Sequence, residues 1–311
     1  MTAHRRSLCL PPRYDFGGTL QALRLLGADP TLRLSADGLW WACRTPDGPG
    51  TLHLCRAGEA TGYGPGAGWL VGQADAIAGL RDDVSGFGAL AAAHPVVRQA
   101  WRQRPGLRMA RTGRLFEHLA PTIIGQKVTG KEAARSYARV VRHFGEPAPG
   151  PCDGLLLPPE PAAVAATPYW AFHPYGIEQR RAETLRRAAS AAVSLDQAPD
   201  AATATARLLS IVGIGVWTAA EVVRLAFGDP DAVSLGDYNI PHHVVYALTG
   251  APRAGSRDCE PGRLAEADQR MLEVLEPFRG QRARVCHLLM LTTPGPPRFG
   301  PRLPLRSFAR Y

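Results

Sequence analysis

A chain of 311 residues, 45% of them hydrophobic, has the material for one large domain or two ordinary ones. No stretch approaches the ~20 apolar residues of a membrane span, and MTAHRRSLCLPPRYDF at the N-terminus has no apolar run long enough for a signal peptide, so a cytoplasmic protein without membrane contact is expected. The net charge of +9 favours a polyanionic partner, but all except two of the 36 basic residues are arginines in an Ala-, Gly- and Pro-rich chain, the mark of a GC-rich coding sequence, so charge alone carries little weight.

In chain order, residues 1–92 read as a separate α+β unit. GGTLQALRLLG at 17–27 predicts a short helix stopped by Gly27. Alternation through Leu32 and Leu34, and through Leu52 and Leu54, predicts strands of an antiparallel sheet, with Asp37-Gly38 and Asp47-Gly48 as turns. The Gly/Pro-rich TGYGPGAG at 61–68 predicts a loop. Residues 93–311 read as helix after helix. RLFEHLAPTIIGQKV at 114–128 has a helical apolar face interrupted by Pro121, which predicts a kink or break. GKEAARSYARVVRHFG places Ala133, Ala134, Tyr137, Val140, Val141 and Phe144 on one face, with Gly145 as stop.

The stretch 145–161 predicts a Pro/Gly loop, and PAAVAATPYW and IEQRRAETLRRAASAAV two further helices, the second with a charged face of Arg180, Arg181, Arg186 and Arg187. Tyr169, Trp170, Phe172, His173 and Tyr175 cluster ahead of that helix, as core or as the wall of a pocket. ADQRMLEVLEPFRGQRARVCHLLML predicts two helices, and the Pro- and Arg-rich tail an irregular segment. The cysteines, Cys9, Cys43, Cys55, Cys152, Cys259 and Cys286, form no CxxC and no cluster; they read as reduced and packed, with no structural metal.

The most informative stretch is 208–241, LLSIVGIGVWTAAEVVRLAFGDPDAVSLGDYNIP. Leu208 and Ile211 lie on the apolar face of an incoming helix, Val212-Gly213-Ile214-Gly215 reverses the chain, and a new helix starts near Val216 with free N–H groups at its positive end. Such a turn can cradle a phosphate without reading sequence; alone, it is also the turn of an ordinary αα-hairpin. Pro241 fits the first turn of a helix running to Gly250. Asp237 therefore precedes a helix N-terminus, where a negative charge is favoured, as a near-cap residue or as a presented carboxylate.

The hairpin followed at this distance by LGDYNI at 235–240 resembles the helix-hairpin-helix superfamily of DNA glycosylases. IIGQKV at 123–128 looks like its Ile-Leu-Gly-Gln segment, PYGIEQRRAETL at 174–185 like the helix start ahead of the hairpin, and LEPFRGQRARV at 275–285 like its Pro-Trp-Arg region. Within the superfamily the resemblance is to the bacterial 3-methyladenine DNA glycosylase II branch, which also carries an N-terminal sheet domain, here starting near YDF at 14–16. The implied architecture is α+β: an antiparallel sheet domain with helices, then an all-α glycosylase core.

That resemblance implies a base-excision repair enzyme, active as a monomer on double-stranded DNA that contains a damaged base. It would flip the base and cut its N-glycosidic bond. It makes Asp237 the catalytic carboxylate, and assigns Gly213, Ile214, Gly215, Val216, Thr218, Gln126 and Lys127 to DNA binding. Trp217 stands where bifunctional members place their Schiff-base lysine, which implies a monofunctional enzyme with Trp217 in the base pocket, beside Tyr238.

Three positions depart from the pattern. Glu221 replaces a second pocket aromatic, as a base-binding carboxylate or a paired helix residue; His287 stands roughly where another aromatic is expected; Lys127 replaces the apolar wedge, with Val128 as the alternative. The iron–sulfur cysteines of some relatives are absent. No cofactor is implied except a monovalent cation on the backbone carbonyls of Ile211 and Ile214.

Overall fold

The computed structural model describes residues 3–24, 29–252 and 261–297, with side chains from 265 onward in the last segment. The first unit is a five-stranded antiparallel sheet in the order β1-β5-β4-β3-β2. The strands are β1 (His4–Ser7), β2 (Leu32–Leu34), β3 (Gly38–Thr45), β4 (Gly48–Cys55) and β5 (Glu59–Tyr63). Each Asp-Gly pair does what its chemistry suggests: Gly38 and Gly48 open β3 and β4 at φ +144° and +113°, a region other residues avoid.

The predicted loop at 61–68 begins later than expected. Thr61, Gly62 and Tyr63 belong to β5, and the turn starts at Gly64. One face of the sheet packs Leu39, Trp41, Leu52 and Leu54 against helices α1 (Phe16–Gln21), α2 (Ala67–Gly72) and α3 (Ala74–Ile77). The 145–161 segment covers the other face, setting Leu155 and Leu157 on Ala42. Helix α1 stops at Gln21, and the predicted stop at Gly27 falls outside the described residues, as does the tail from 298.

The rest is helical: α4 (Phe87–Ala91), α5 (Pro95–Gln103), α6 (Leu115–Ile124), α7 (Gly130–Phe144), α8 (Pro161–Ala166), α9 (Gln179–Ser190), α10 (Ala192–Asp196), α11 (Ala201–Leu209), α12 (Val216–Ala226), α13 (Ile240–Thr249), α14 (Pro261–Leu275) and α15 (Arg282–Thr292). Short 3₁₀ turns lie at Tyr169–Tyr175 and Glu276–Phe278. No described helix is long and apolar enough to cross a membrane.

Pro121 does not break α6. The helix runs on to Ile124, buried from Leu119 onward, with the Thr122 hydroxyl donating to the His118 carbonyl and the Gly125 N–H to that of Pro121. Arg181 is not on an exposed charged face either. It is buried, pairs with Glu178, and donates to the carbonyls of Ile124 and Gly176, fastening the end of α6 to the start of α9.

Two apolar clusters organise the helices. One joins α6, α7, α9, α11 and α12 around Leu119, Phe172, Leu185, Leu208 and Val222. The other joins α4, α5, α13, α14 and α15 around Phe87, Val97, Val244, Met271 and Leu289. Helix α12 belongs to the first cluster and α13 to the second, so the connecting segment 227–239, which carries Asp237, runs from one to the other. Fully buried Arg284 ties the second cluster to the sheet side through both oxygens of Asp82, with its guanidinium 5.4 Å from the Phe87 ring centroid.

Candidate active site

The hairpin is built from the inside out. Buried Ile214 anchors it, and the Ile214 N–H donates to the Ile211 carbonyl at 3.0 Å. Gly213 sits at φ +100°, and a Cβ there would fall 2.1 Å from the Thr184 hydroxyl, so both conformation and space require glycine. Gly215 is extended, and a Cβ there would meet nothing within 4 Å. Helix α12 starts directly after it with no side-chain cap, which leaves its first N–H groups open beside exposed Val212 and Val216. An uncapped helix start of this kind receives anions well.

Two neighbours hold the tip. Arg187 donates to the Val212 carbonyl at 3.3 Å, and the Gln126 amide donates to the Gly213 carbonyl at 3.1 Å and to the Thr218 hydroxyl at 2.9 Å. Gln126 and the buried Thr218 thus brace the hairpin from within. Lys127, the next residue, is exposed, holds φ +56°, and makes no hydrogen bond or ion pair among the described residues. Positive φ is uncommon outside glycine.

At the second residue of α12, the Trp217 indole N–H donates to Oδ2 of Asp237 at 3.1 Å. Oδ1 accepts from the N–H groups of Asn239 at 2.7 Å and Ile240 at 2.8 Å, so the side chain also caps the start of α13. All three donors are N–H groups, and Asp237 accepts on both oxygens. Tyr238 beside it is exposed. The segment behind is clamped to α15: Arg282 makes a two-pronged ion pair with Asp231, and the Arg284 N–H donates to the Pro230 carbonyl.

Two expected pocket residues are placed otherwise. Glu221, one turn beyond Trp217, is buried; it pairs with Arg224 at 2.8 Å and accepts the Ser234 hydroxyl. Burial alone would raise its carboxyl, but Arg224 and Ser234 hold it below the ordinary range. Its acceptor capacity is spent inside the protein, which is the paired-residue alternative. His287 faces the N-terminal unit, with Nε2 against the Gly18 carbonyl at 3.1 Å. Burial, with nearby Arg224, pushes it down to about 4. The aromatic cluster divides: Phe172 is core, whereas Trp170 is 62% exposed.

Sequence reasoning missed Asp268. Its Oδ2 accepts the Gly236 N–H at 2.8 Å, next to Asp237. It lies 32 residues away on α14, among ordinary surface-helix residues, and no spacing rule points to it.

No family model matches the chain. It is 33% identical to the Escherichia coli DNA-3-methyladenine glycosylase 2 over 141 residues, 44% of this chain and 50% of that one. It is 27% identical over 152 residues to a Mycobacterium tuberculosis protein described as a probable bifunctional transcriptional activator/DNA repair enzyme AlkA, covering 48% of this chain and 30% of the relative. The chain therefore spans half or less of the length of these relatives.

Among solved structures, a 3-methyladenine DNA-glycosylase from Archaeoglobus fulgidus superposes with a TM-score of 0.70 at 18% identity, over 92% of this chain and 97% of that one. The apo form of the Clostridium acetobutylicum 8-oxoguanine glycosylase/lyase gives 0.66 at 11% identity, over 94% and 99%. The fold, sheet unit and helical part together, is shared with these two glycosylase structures. In sequence the chain resembles DNA-3-methyladenine glycosylase 2.

Proposed function

We propose that this chain is a monofunctional DNA glycosylase of base-excision repair, acting as a monomer on duplex DNA and removing an alkylated base to leave an abasic site. The observation that carries the reading is the Trp217–Asp237 hydrogen bond, which sets an aromatic ring and a carboxylate side by side directly after an open hairpin. The hairpin and the uncapped start of α12 take the DNA backbone; Lys127 occupies the gap left by the flipped base.

Breaking an N-glycosidic bond leaves positive charge on the sugar, and Asp237, fixed in advance by its three N–H donors, opposes that charge without having to reorganise. Water then completes the cleavage. Trp217 offers an electron-rich face to a cationic alkylated base, with Tyr238 at the rim.

The lysine chemistry of a strand-nicking lyase has no residue here. The chain has only Lys127, at the end of α6, and Lys131, on α7, and neither is on α12. A monovalent cation at the hairpin belongs to the same proposal. The backbone carbonyls of Ile211 and Ile214 would hold it, that of Ile211 while also accepting the Ile214 N–H; bound there, it would add positive charge beneath a phosphate.

The test is base release from duplexes carrying alkylated, deaminated or oxidised bases. Release from alkylated DNA, with strands intact until alkali is added, is expected. Release from none of the three would overturn the reading; release only from oxidised DNA would overturn its substrate class.

A further inference from the structure

We propose that Asp268 is a positioning residue that holds the Gly236–Asp237 segment in its working geometry by accepting the Gly236 N–H. The inference rests on Asp237 being the reacting carboxylate.

Gly236 is the joint of this segment. It holds φ +83°, and a Cβ there would meet nothing within 4 Å, so glycine is present for its conformation and not for lack of space. A left-handed glycine in open surroundings has no steric reason to stay in one conformation. Two hydrogen bonds restrain it: the Asp237 N–H donates to the Ser234 carbonyl at 3.3 Å across it, and on α14 Asp268 Oδ2 takes the Gly236 N–H at 2.8 Å. The next residue, Asp237, is held on its far side by Trp217, Asn239 and Ile240. The carboxylate is thereby held from both directions along the chain, and the one side chain that holds it from behind is Asp268, beside the turn bond to the Ser234 carbonyl.

Asp268 is more than a surface acid that happens to be near. Its Oδ1 is buried without a hydrogen-bond partner, a cost that a surface helix would ordinarily avoid by turning the side chain outward. Burial raises its carboxyl; the Gly236 N–H opposes the rise, the Asp237 charge adds to it, and His242 opposes it. A second acid kept this close to Asp237 at such expense is consistent with a fixed acceptor, and its Oδ2 has found one donor, the Gly236 N–H.

The experiment compares Asp268→Ala with Asp268→Asn. Asparagine keeps an acceptor oxygen for the Gly236 N–H; alanine does not. Two readouts are followed: single-turnover base release from alkylated duplex, and hydrogen exchange of the Trp217 indole N–H by NMR, assigned with Trp217→Phe. With Asp268→Ala, base release falls about ten-fold or more, as misplacement of a reacting group does. Indole exchange speeds up by a similar factor, while affinity for abasic-analogue duplex is kept.

Asp268→Asn restores both readouts to near the wild-type values. The proposal is overturned if Asp268→Ala leaves both readouts unchanged, or if Asp268→Asn loses as much as ten-fold, which would assign the effect to charge. The Asn arm decides even where the Ala variant does not fold. Wild-type protein that releases no base would sink the functional reading, while the indole readout would still decide on Asp268.

Discussion

Trp217 and Asp237, twenty residues apart in sequence, are joined by an indole N–H···Oδ2 hydrogen bond of 3.1 Å that links α12 to the segment ahead of α13. This bond makes the carboxylate and the aromatic ring one unit, so substitutions at either residue report on both.

Asp237→Asn should lower single-turnover base release by about 10²–10³, the usual cost of removing a preorganised electrostatic partner. The amide can still accept from Asn239 and Ile240 on one oxygen, but its NH₂ group then faces the indole N–H, donor against donor. One hydrogen bond to a charged acceptor is lost, worth about 1.5–3 kcal/mol, so the melting temperature should fall measurably while the fold is kept. A large stability loss with base release retained would make Asp237 a helix cap and nothing more.

Borohydride treatment of a reacting mixture should trap no protein–DNA adduct, because no lysine is on α12. A trapped adduct would point to Lys127 or Lys131 and end the monofunctional reading.

The hairpin should be intolerant of Gly213→Ala. The new methyl meets Thr184 and the backbone is held at φ +100°; a strained non-glycine residue costs about 1–3 kcal/mol before any clash is counted. Gln126→Ala should act more selectively, loosening the tip by removing its bonds to Gly213 and Thr218. Affinity for an abasic-analogue duplex, measured across a salt series, should drop for both variants, with the melting temperature moving chiefly for the glycine.

Glu221→Ala separates a pocket role from a structural one. Removing a buried carboxylate leaves Arg224 unpaired and the Ser234 hydroxyl without its acceptor, a change that typically costs about 3–5 kcal/mol. The melting temperature should fall accordingly, while the ranking of lesions by the folded fraction stays the same. A changed ranking in a stable variant would return Glu221 to the pocket.

A pH dependence of stability follows from Glu117, on the first turn of α6, whose Oε1 accepts the Arg44 N–H. Desolvation lifts its carboxyl from 4.5 to about 7 against the pull of Arg114 and Arg44, with Asp196 adding to the rise. Between those two values the folded chain keeps a proton that the unfolded chain has lost, so this group's contribution to stability declines as pH rises through that window. Glu117→Gln keeps the acceptor and removes the titration. Its advantage in unfolding free energy over wild type should be small near pH ~5 and grow towards pH ~8, by about 1–2 kcal/mol after allowing for the partial exposure of the side chain. A constant offset across that range would show that Glu117 is not the source.

Local chemistry was legible where a residue acts on its own neighbours. Gly213 and Gly215 announced the hairpin, Gly38 and Gly48 the strand starts, and Pro241 with Gly250 the limits of α13. What stayed hidden depends on partners distant in sequence. Strand β1, HRRS, is exposed along its whole length and carries no apolar alternation; it is a strand because β5 is beside it. The α-helical spacing of Glu221 from Trp217 was read correctly, but its burial against Ser234 was not, since a helix face does not reveal which face covers it. The contact of His287 is equally beyond a local pattern, its partner Gly18 being 269 residues away.

The long reach of Arg284 bears on the order in which the molecule is completed. Its partner Asp82 precedes it by 202 residues, and the clamp on the Asp237 segment, Arg282 on Asp231 and the Arg284 N–H on Pro230, also comes from α15. Domains assemble as they leave the ribosome, N-terminal parts first. The hairpin and its braces from α6 and α9 are all translated before residue 220, whereas the segment carrying Asp237 receives Asp268 from α14 later and its last clamps only when α15 emerges. A nascent chain therefore acquires the surface that meets a polyanion before it acquires a fixed carboxylate, and the capacity to hold DNA is built earlier than the capacity to cut a bond in it.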